Sequence, residues 1–295
     1  MSERVITFGE QGELTGILSQ PAVMRRGAPW LLLWNTGVQH RVGPCRLNVQ
    51  LARRLAERGI PSLRFDLSGL GDSAPRADRR SGRERAASDA RSAMALLEQR
   101  LSATRFAVLG LCTGADYAYN AAVTDERVTA FVCLDGLSYP TFRFGLERLR
   151  SFLSSRTRIL SFLRRACGRF PALAWRRLNT SGSRRSAAAV AAGCTGSDLF
   201  GWAPPPRREA EEAMRTLVQR GTRSLWIYSG EELALYNYRE QFRDMFAGIE
   251  FNDTVEVDYF KESDHLFSDA ASRERLLNRV CLWMDQICPE EPDDP

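Results

Sequence analysis

The chain has 295 residues, of which 44% are hydrophobic, and its net charge at pH 7 is +5. That length suits one large α/β domain with an insertion, and the hydrophobic fraction is ordinary for a globular enzyme. No apolar stretch follows Met1-Ser2-Glu3-Arg4 and no apolar run is long enough for a bilayer, so neither a signal peptide nor a membrane span is expected and the protein is expected to be soluble and cytoplasmic.

Residues 3–8 and 13–19 alternate and predict two antiparallel edge strands. Strands and amphipathic helices then take turns: strand 29–34, helix 45–59, strand 61–66, helix 83–100, strand 105–110, helix 112–123 and strand 128–134. Residues 138–206 break this rhythm. They hold basic helical patterns, a break at Asn179-Thr180-Ser181-Gly182-Ser183, and Ala203-Pro204-Pro205-Pro206. Helix 208–220, strand 224–229, helix 237–247, strand 253–259 and helix 270–287 complete the pattern. The expected organisation is a core of 1–137 and 207–288, a basic helical lid over 138–206, and a flexible polar tail over 289–295. Alternating strands and helices predict an α/β fold with a mostly parallel, eight-stranded sheet covered on both faces.

Seven cysteines (45, 112, 133, 167, 194, 281 and 288) show no CxxC pairing and no metal spacing, and they read as free thiols. Cys133 falls in a core strand. Cys281 and Cys288 share a face of the last helix, which suits core packing. No metal or cofactor is expected.

Cys112 differs from the others. It sits in Gly110-Leu111-Cys112-Thr113-Gly114, directly after the apolar run Phe106-Ala107-Val108-Leu109 and before an Ala-rich helix. This is the nucleophile-elbow pattern G-x-S-x-G with cysteine in the serine position. The chain leaves a buried strand, turns sharply and enters a helix. A Cβ at either flanking glycine would collide with neighbouring backbone. The helix begins behind the sulfur, so its first N–H groups favour a thiolate and can receive an oxyanion.

The chain has two histidines. His265 follows the alternating strand Val255-Glu256-Val257-Asp258-Tyr259 and precedes the last helix, the place for a general base in the order nucleophile, acid, histidine. His40 lies in the loop Asn35-Thr36-Gly37-Val38-Gln39-His40-Arg41, which normally donates the second oxyanion N–H. It is either a substrate contact or a histidine hydrogen-bonded within its loop. For the acid that orients His265, Glu232 fits best, a short step beyond Gly230 at the end of strand Ser224–Ser229. Glu231 is the reserve, and Asp135, at the end of strand Ala130–Leu134, is the third candidate. The expected oxyanion donors are Thr113 and the Gly37-Val38 region.

The charge is almost all arginine, since Lys261 is the sole lysine. From Arg143 to Arg185 there are twelve arginines and one acid, Glu147. Such a field attracts an anionic partner or substrate, and Arg164, Arg165, Arg176 and Arg177 are the candidate contacts. A solvated helical surface is the other reading. No nucleic-acid module or aromatic-basic stacking platform accompanies the arginines, so nucleic acid is not the expected partner.

These residues resemble the α/β-hydrolase superfamily across almost the full chain. Three segments are similar to hydrolases of exosortase and exopolysaccharide loci and of biosynthetic clusters: Gln39-His40-Arg41-Val42-Gly43-Pro44, Leu63-Arg64-Phe65-Asp66-Leu67-Ser68-Gly69-Leu70-Gly71-Asp72-Ser73, and Gly110-Leu111-Cys112-Thr113-Gly114-Ala115. Tyr236-Asn237-Tyr238-Arg239-Glu240-Gln241-Phe242-Arg243-Asp244 adds to that likeness. The cysteine also resembles dienelactone hydrolases, polyhydroxyalkanoate synthases and the acyl or aminoacyl shuttles of nonribosomal peptide pathways. The pair Glu231-Glu232 departs from relatives that carry Asp there. The expected function is acyl transfer through an acyl-cysteine, acyltransferase or thioesterase-like, on an ester or thioester held by an acidic acyl or peptidyl carrier protein or by coenzyme A. The alternatives are an ordinary small-molecule ester hydrolase and a non-catalytic binding scaffold.

Overall fold

A computed structural model describes residues 1–76, 80–154, 204–231 and 235–288. Eight strands form one sheet: β1 (Ser2–Phe8), β2 (Leu14–Gln20), β3 (Trp30–Leu33), β4 (Ser62–Phe65), β5 (Phe106–Leu111), β6 (Val128–Leu134), β7 (Arg223–Ser229) and β8 (Val255–Phe260). Their spatial order is β1-β2-β4-β3-β5-β6-β7-β8. The β1–β2 and β2–β4 pairs are antiparallel and the others are parallel. The two antiparallel strands thus lie where alternation in the sequence put them, with β1 at the edge and β2 paired on both sides. Strands β3, β5 and β6 are almost continuously apolar because helices bury both of their faces, and β4 is equally buried although it carries Ser62 and Arg64.

Seven helices lie among the described residues: α1 (Leu47–Glu57), α2 (Gly82–Leu101), α3 (Thr113–Thr124), α4 (Phe142–Leu153), α5 (Arg207–Gln219), α6 (Gln241–Met245) and α7 (Ala270–Ile287). One core layer joins α2, α3 and α5 to a sheet face through residues such as Met94, Ala118, Phe131, Met214 and Trp226. The other joins α1 and α7 to the opposite face through Leu51, Leu109, Ile227, Leu277 and Trp283. Cys281 and Cys288 belong to this second layer, as their shared helical face predicts.

The expected helix over 237–247 is shorter, covering Gln241–Met245 alone. Side chains hold the preceding turn instead of a helical ladder. The buried Gln241 accepts the Asn237 N–H at 2.9 Å and donates to the carbonyl of Leu235 at 2.7 Å. Tyr236 stacks on Tyr228, with ring centroids 3.8 Å apart. Of the expected lid, residues 138–154 and 204–206 are described, including α4. Residues 155–203, with Arg164, Arg165, Arg176 and Arg177, lie outside the described residues, as do Glu232 and the tail 289–295.

Candidate active site

The elbow is built as the Gly-x-Cys-x-Gly spacing requires. Cys112 joins β5 to α3 with φ 58° and ψ −125°, a conformation that costs a non-glycine residue about 1–3 kcal/mol. The neighbouring backbone holds the turn closed. The Cys112 N–H donates to Leu134 O at 2.9 Å, and Cys112 O accepts from the Ala115 N–H at 2.9 Å. A Cβ on Gly110 would lie 1.9 Å from Gly114 O, and one on Gly114 would lie 2.6 Å from Asn35 O. Both glycines are therefore fixed by close backbone approach. The Trp34 indole N–H donates to Gly114 O at 2.9 Å and ties the elbow to the loop after β3.

Cys112 is partly exposed, whereas Cys133, Cys281 and Cys288 are buried. Burial raises the thiols of these three, with Cys288 pushed up to about 11. Packing makes them unreactive. The Cys112 side chain instead hydrogen-bonds the His265 ring.

His265 sits in the loop between β8 and α7. Its Nδ1 lies 2.9 Å from Asp135 Oδ2, and the Asp135 side chain is almost fully buried. Asp135 follows β6 with φ 45°, a left-handed conformation that aspartate tolerates better than most residues. Its other oxygen accepts the Ser229 N–H at 2.6 Å, and its own N–H donates to Ile227 O at 2.9 Å. Both contacts anchor it to β7. Burial alone would lower the pKa of His265; the hydrogen bond that the ring donates to Asp135, then that with Cys112, outweigh it and raise it to about 10. The buried Asp135 carboxylate thus favours the protonated ring.

The acid on the ring is therefore the sequence's third candidate, at the end of β6. Glu231 has a different partner: its carboxylate accepts the backbone N–H of His265 at 2.8 Å. It holds the loop rather than the ring. Asp135, His265 and Cys112 form one hydrogen-bonded chain that leaves the Nε2 side of the ring facing the sulfur.

Thr113 is the first residue of α3, so its N–H has no intrahelical acceptor and borders the sulfur. The Gly37 N–H donates to Thr113 Oγ1 at 3.0 Å, which occupies that expected oxyanion donor in this state. Val38 is 65% exposed. The loop carrying both is pinned by residues the sequence reading did not single out. Buried Asp66 accepts from Asn35 Nδ2 at 2.8 Å, from the Arg41 N–H at 2.6 Å and from the Arg41 guanidinium. Asn35 in turn accepts the Leu67 N–H at 2.7 Å. A Cβ on Gly71, where φ is +51°, would lie 2.3 Å from Asp66 Oδ2, so glycine there makes room for the carboxylate. The signal was an Asp ending a buried strand before a Gly-rich turn.

His40 belongs to this same network. Its Nε2 lies 3.3 Å from Asp72 Oδ2 and 2.8 Å from Arg41 Nη1. The geometry favours the reading of a histidine bonded within its loop. His40, Asp66 and Asp72 bring potential ligand atoms within 4.8 Å of one another. The Arg41 guanidinium already bridges both carboxylates, so a cationic group occupies the position that a metal would need.

Neither a protein-family model nor a curated protein sequence matches the chain. Solved structures do match. GrgF, an α/β hydrolase from Penicillium sp. sh18, is 19% identical, with 97% of this chain and 98% of that chain covered and a TM-score of 0.57. A Pyrococcus furiosus esterase is 14% identical over 98% of this chain and 91% of its own, with a TM-score of 0.59. The chain has the α/β-hydrolase fold. DcsB, solved in complex with a substrate analogue, is also similar, at 14% identity over 97% of this chain and 99% of that chain, with a TM-score of 0.58. Among the described residues no helix is long and apolar enough to cross a membrane. In this α/β-hydrolase sheet β6 and β7 are neighbours, so carboxylates at either strand end stand near the histidine loop. That adjacency is why both Asp135 and Glu231 touch His265, one at the ring and one at the backbone.

Proposed function

We propose that this chain is an acyl-transfer enzyme working through a covalent acyl-cysteine. The observation that carries the reading is the chain Asp135–His265–Cys112 on a strained elbow at a helix N-terminus. The Cys112 thiolate attacks the carbonyl carbon of a thioester or ester. The tetrahedral oxyanion is received by the Thr113 N–H and neighbouring loop donors. The bond to the leaving thiol or alcohol breaks as the His265 imidazolium passes its Nε2 proton to the leaving group. The neutral ring then takes a proton from the incoming thiol, amine or alcohol, which attacks the acyl-cysteine and restores the thiolate. Asp135 keeps the ring's Nδ1 protonated throughout, so Nε2 is the atom that shuttles the proton.

Cysteine favours transfer over commitment to hydrolysis. Exchange between a thioester and a thiol is nearly balanced in energy, so the acyl group can be passed onward. An acidic carrier protein or a coenzyme A donor suits the arginine-rich segment from Arg143 to Arg185. Two features of α4 agree with a protein-borne substrate. Phe142, Leu146, Leu149 and Leu153 form an exposed stripe, with Phe142 at 85%, and Arg143, Arg148 and Arg150 lie between them in sequence. Ester hydrolysis is the second reading, favoured by the likeness to a protein named as an esterase. It uses the same acyl-cysteine with water as acceptor. A silent scaffold would need no contact between a thiol and a histidine that a buried aspartate orients.

Intact-protein mass spectrometry after incubation with acyl-thioester and acyl-ester libraries tests the reading. A persistent acyl mass on Cys112, absent in Cys112→Ala, supports it and names the donor. No adduct and no turnover with any donor class would leave the scaffold reading in its place.

A further inference from the structure

The end of β5 opposite Cys112 carries a second feature. The loops before β3 and β5 enclose a pocket of about 410 Å³ whose lining includes Arg25, Arg26, Trp30, Ser102 and Arg105. β5 has six residues, so at about 3.3 Å each the pocket lies roughly 20 Å from the elbow. Its volume falls within the range of small-molecule sites.

The wall is chemically one-sided. Among the described residues three arginines line it and no acidic side chain does. The nearby acid, Asp285, meets Arg25 at 3.3 Å while its other oxygen takes Arg58 at 2.5 Å. Arg105 Nη1 reaches Gly27 O at 3.4 Å. Both arginine contacts are long beside the ~2.7–2.9 Å of a well-made charge-assisted hydrogen bond. Among the described residues no partner meets two buried donors of this region: the Trp30 indole N–H, on a residue 2% exposed, and Arg25 Nε. Buried N–H groups normally have acceptors. The positive field also reaches Cys288, where Arg25 and Arg105 oppose the rise that burial gives its thiol.

We propose that this pocket binds a small oxyanion ligand, a phosphate- or carboxylate-bearing molecule, at a site separate from Cys112. Guanidinium groups take such anions in bidentate geometry, and three of them converge on this wall. Met24, which is exposed, gives apolar surface for the remainder of the ligand.

Isothermal titration of the full chain with inorganic phosphate, and in parallel with succinate, tests this, with chloride keeping ionic strength constant. The expected result is one saturable site. Arg105→Ala and Arg25→Ala should each weaken it about tenfold or more, the equivalent of one hydrogen bond to a charged group. Cys112→Ala should bind as the parent does. Arg105 is exposed, so its truncation removes no core contact, and circular dichroism checks each variant. If Arg25→Ala unfolds, Arg105→Ala alone decides. Tighter binding of phosphate or of succinate supports the site and assigns its class. No saturable heat with either anion, or binding unchanged in Arg105→Ala, overturns it.

Discussion

Asp135→Asn is the substitution that the geometry makes most informative. Asparagine keeps the size of the side chain, and its carbonyl can still accept the Ser229 N–H that Asp135 Oδ1 accepts at 2.6 Å. The change falls on the other oxygen, 2.9 Å from His265 Nδ1. An amide NH₂ there is a donor facing a donor. The ring escapes the clash by giving up its Nδ1 proton, and the remaining proton then sits on Nε2, facing the sulfur. A hydrogen bond to a charged group contributes about 1.5–3 kcal/mol, which corresponds to a 10- to 150-fold loss. The wrong tautomer adds to this, and in a serine triad the same change costs about 10⁴ in kcat. A loss of about 10²–10⁴ in acylation rate is therefore expected here.

Alkylation of Cys112 by iodoacetamide, followed by intact mass, reads the same coupling without knowledge of the substrate. The His265 pKa is raised to about 10, well above the ordinary histidine range, so the parent should keep its imidazolium partner far into alkaline pH and show a limb near 10. Asp135 raises the ring's pKa, so removing its charge lowers it. The alkaline limb in Asp135→Asn should move toward lower pH, and reactivity near neutrality should fall. A profile that overlays the parent's, with Glu231→Gln causing the larger change, would refute the assignment of Asp135 to the ring.

Glu231→Gln keeps an acceptor for the His265 N–H and should reduce kcat by less than about threefold, whereas Glu231→Ala frees the loop and should cost about tenfold, as kinetics against a chromogenic ester will show. Cys112→Ala should abolish turnover, by about 10⁴–10⁶, without lowering the melting temperature. If transfer is the natural reaction, Cys112→Ser should favour hydrolysis or stall as an ester seen by mass. Gly110→Ala forces a Cβ to within 1.9 Å of Gly114 O, so soluble yield and thermal unfolding should show a clear loss of stability. Reversing Arg164 and Arg165, or Arg176 and Arg177, to Glu should lower kcat/KM for a carrier-linked donor but not for a small neutral ester. Only the former should weaken as salt passes about 0.1 M, where the Debye length is about 10 Å.

The elbow was legible because its glycines are set by backbone contact within a few residues. The acid was not legible for a related reason. Two strand ends, Leu134-Asp135-Gly136 and Ser229-Gly230-Glu231-Glu232, offer carboxylates, and local spacing favours Glu232, which lies outside the described residues, with Glu231 next. What decides is non-local. β6 and β7 run side by side with Leu134 opposite Ile227. Asp135 then turns through φ 45° and reaches the ring Nδ1. Gly230, whose N–H donates to both Phe260 O and Ser263 O, leaves Glu231 beside the histidine's backbone. Neither the positive φ nor these cross-strand contacts leave a mark in composition or periodicity. Asp66 was hidden in the same way: it reads as one more polar residue at a strand end, yet it fixes the loop opposite the sulfur through Asn35 and Arg41. In this fold the strand ends can be read from the sequence. The choice among their carboxylates depends on which strands are neighbours, and so only the assembled sheet can make it.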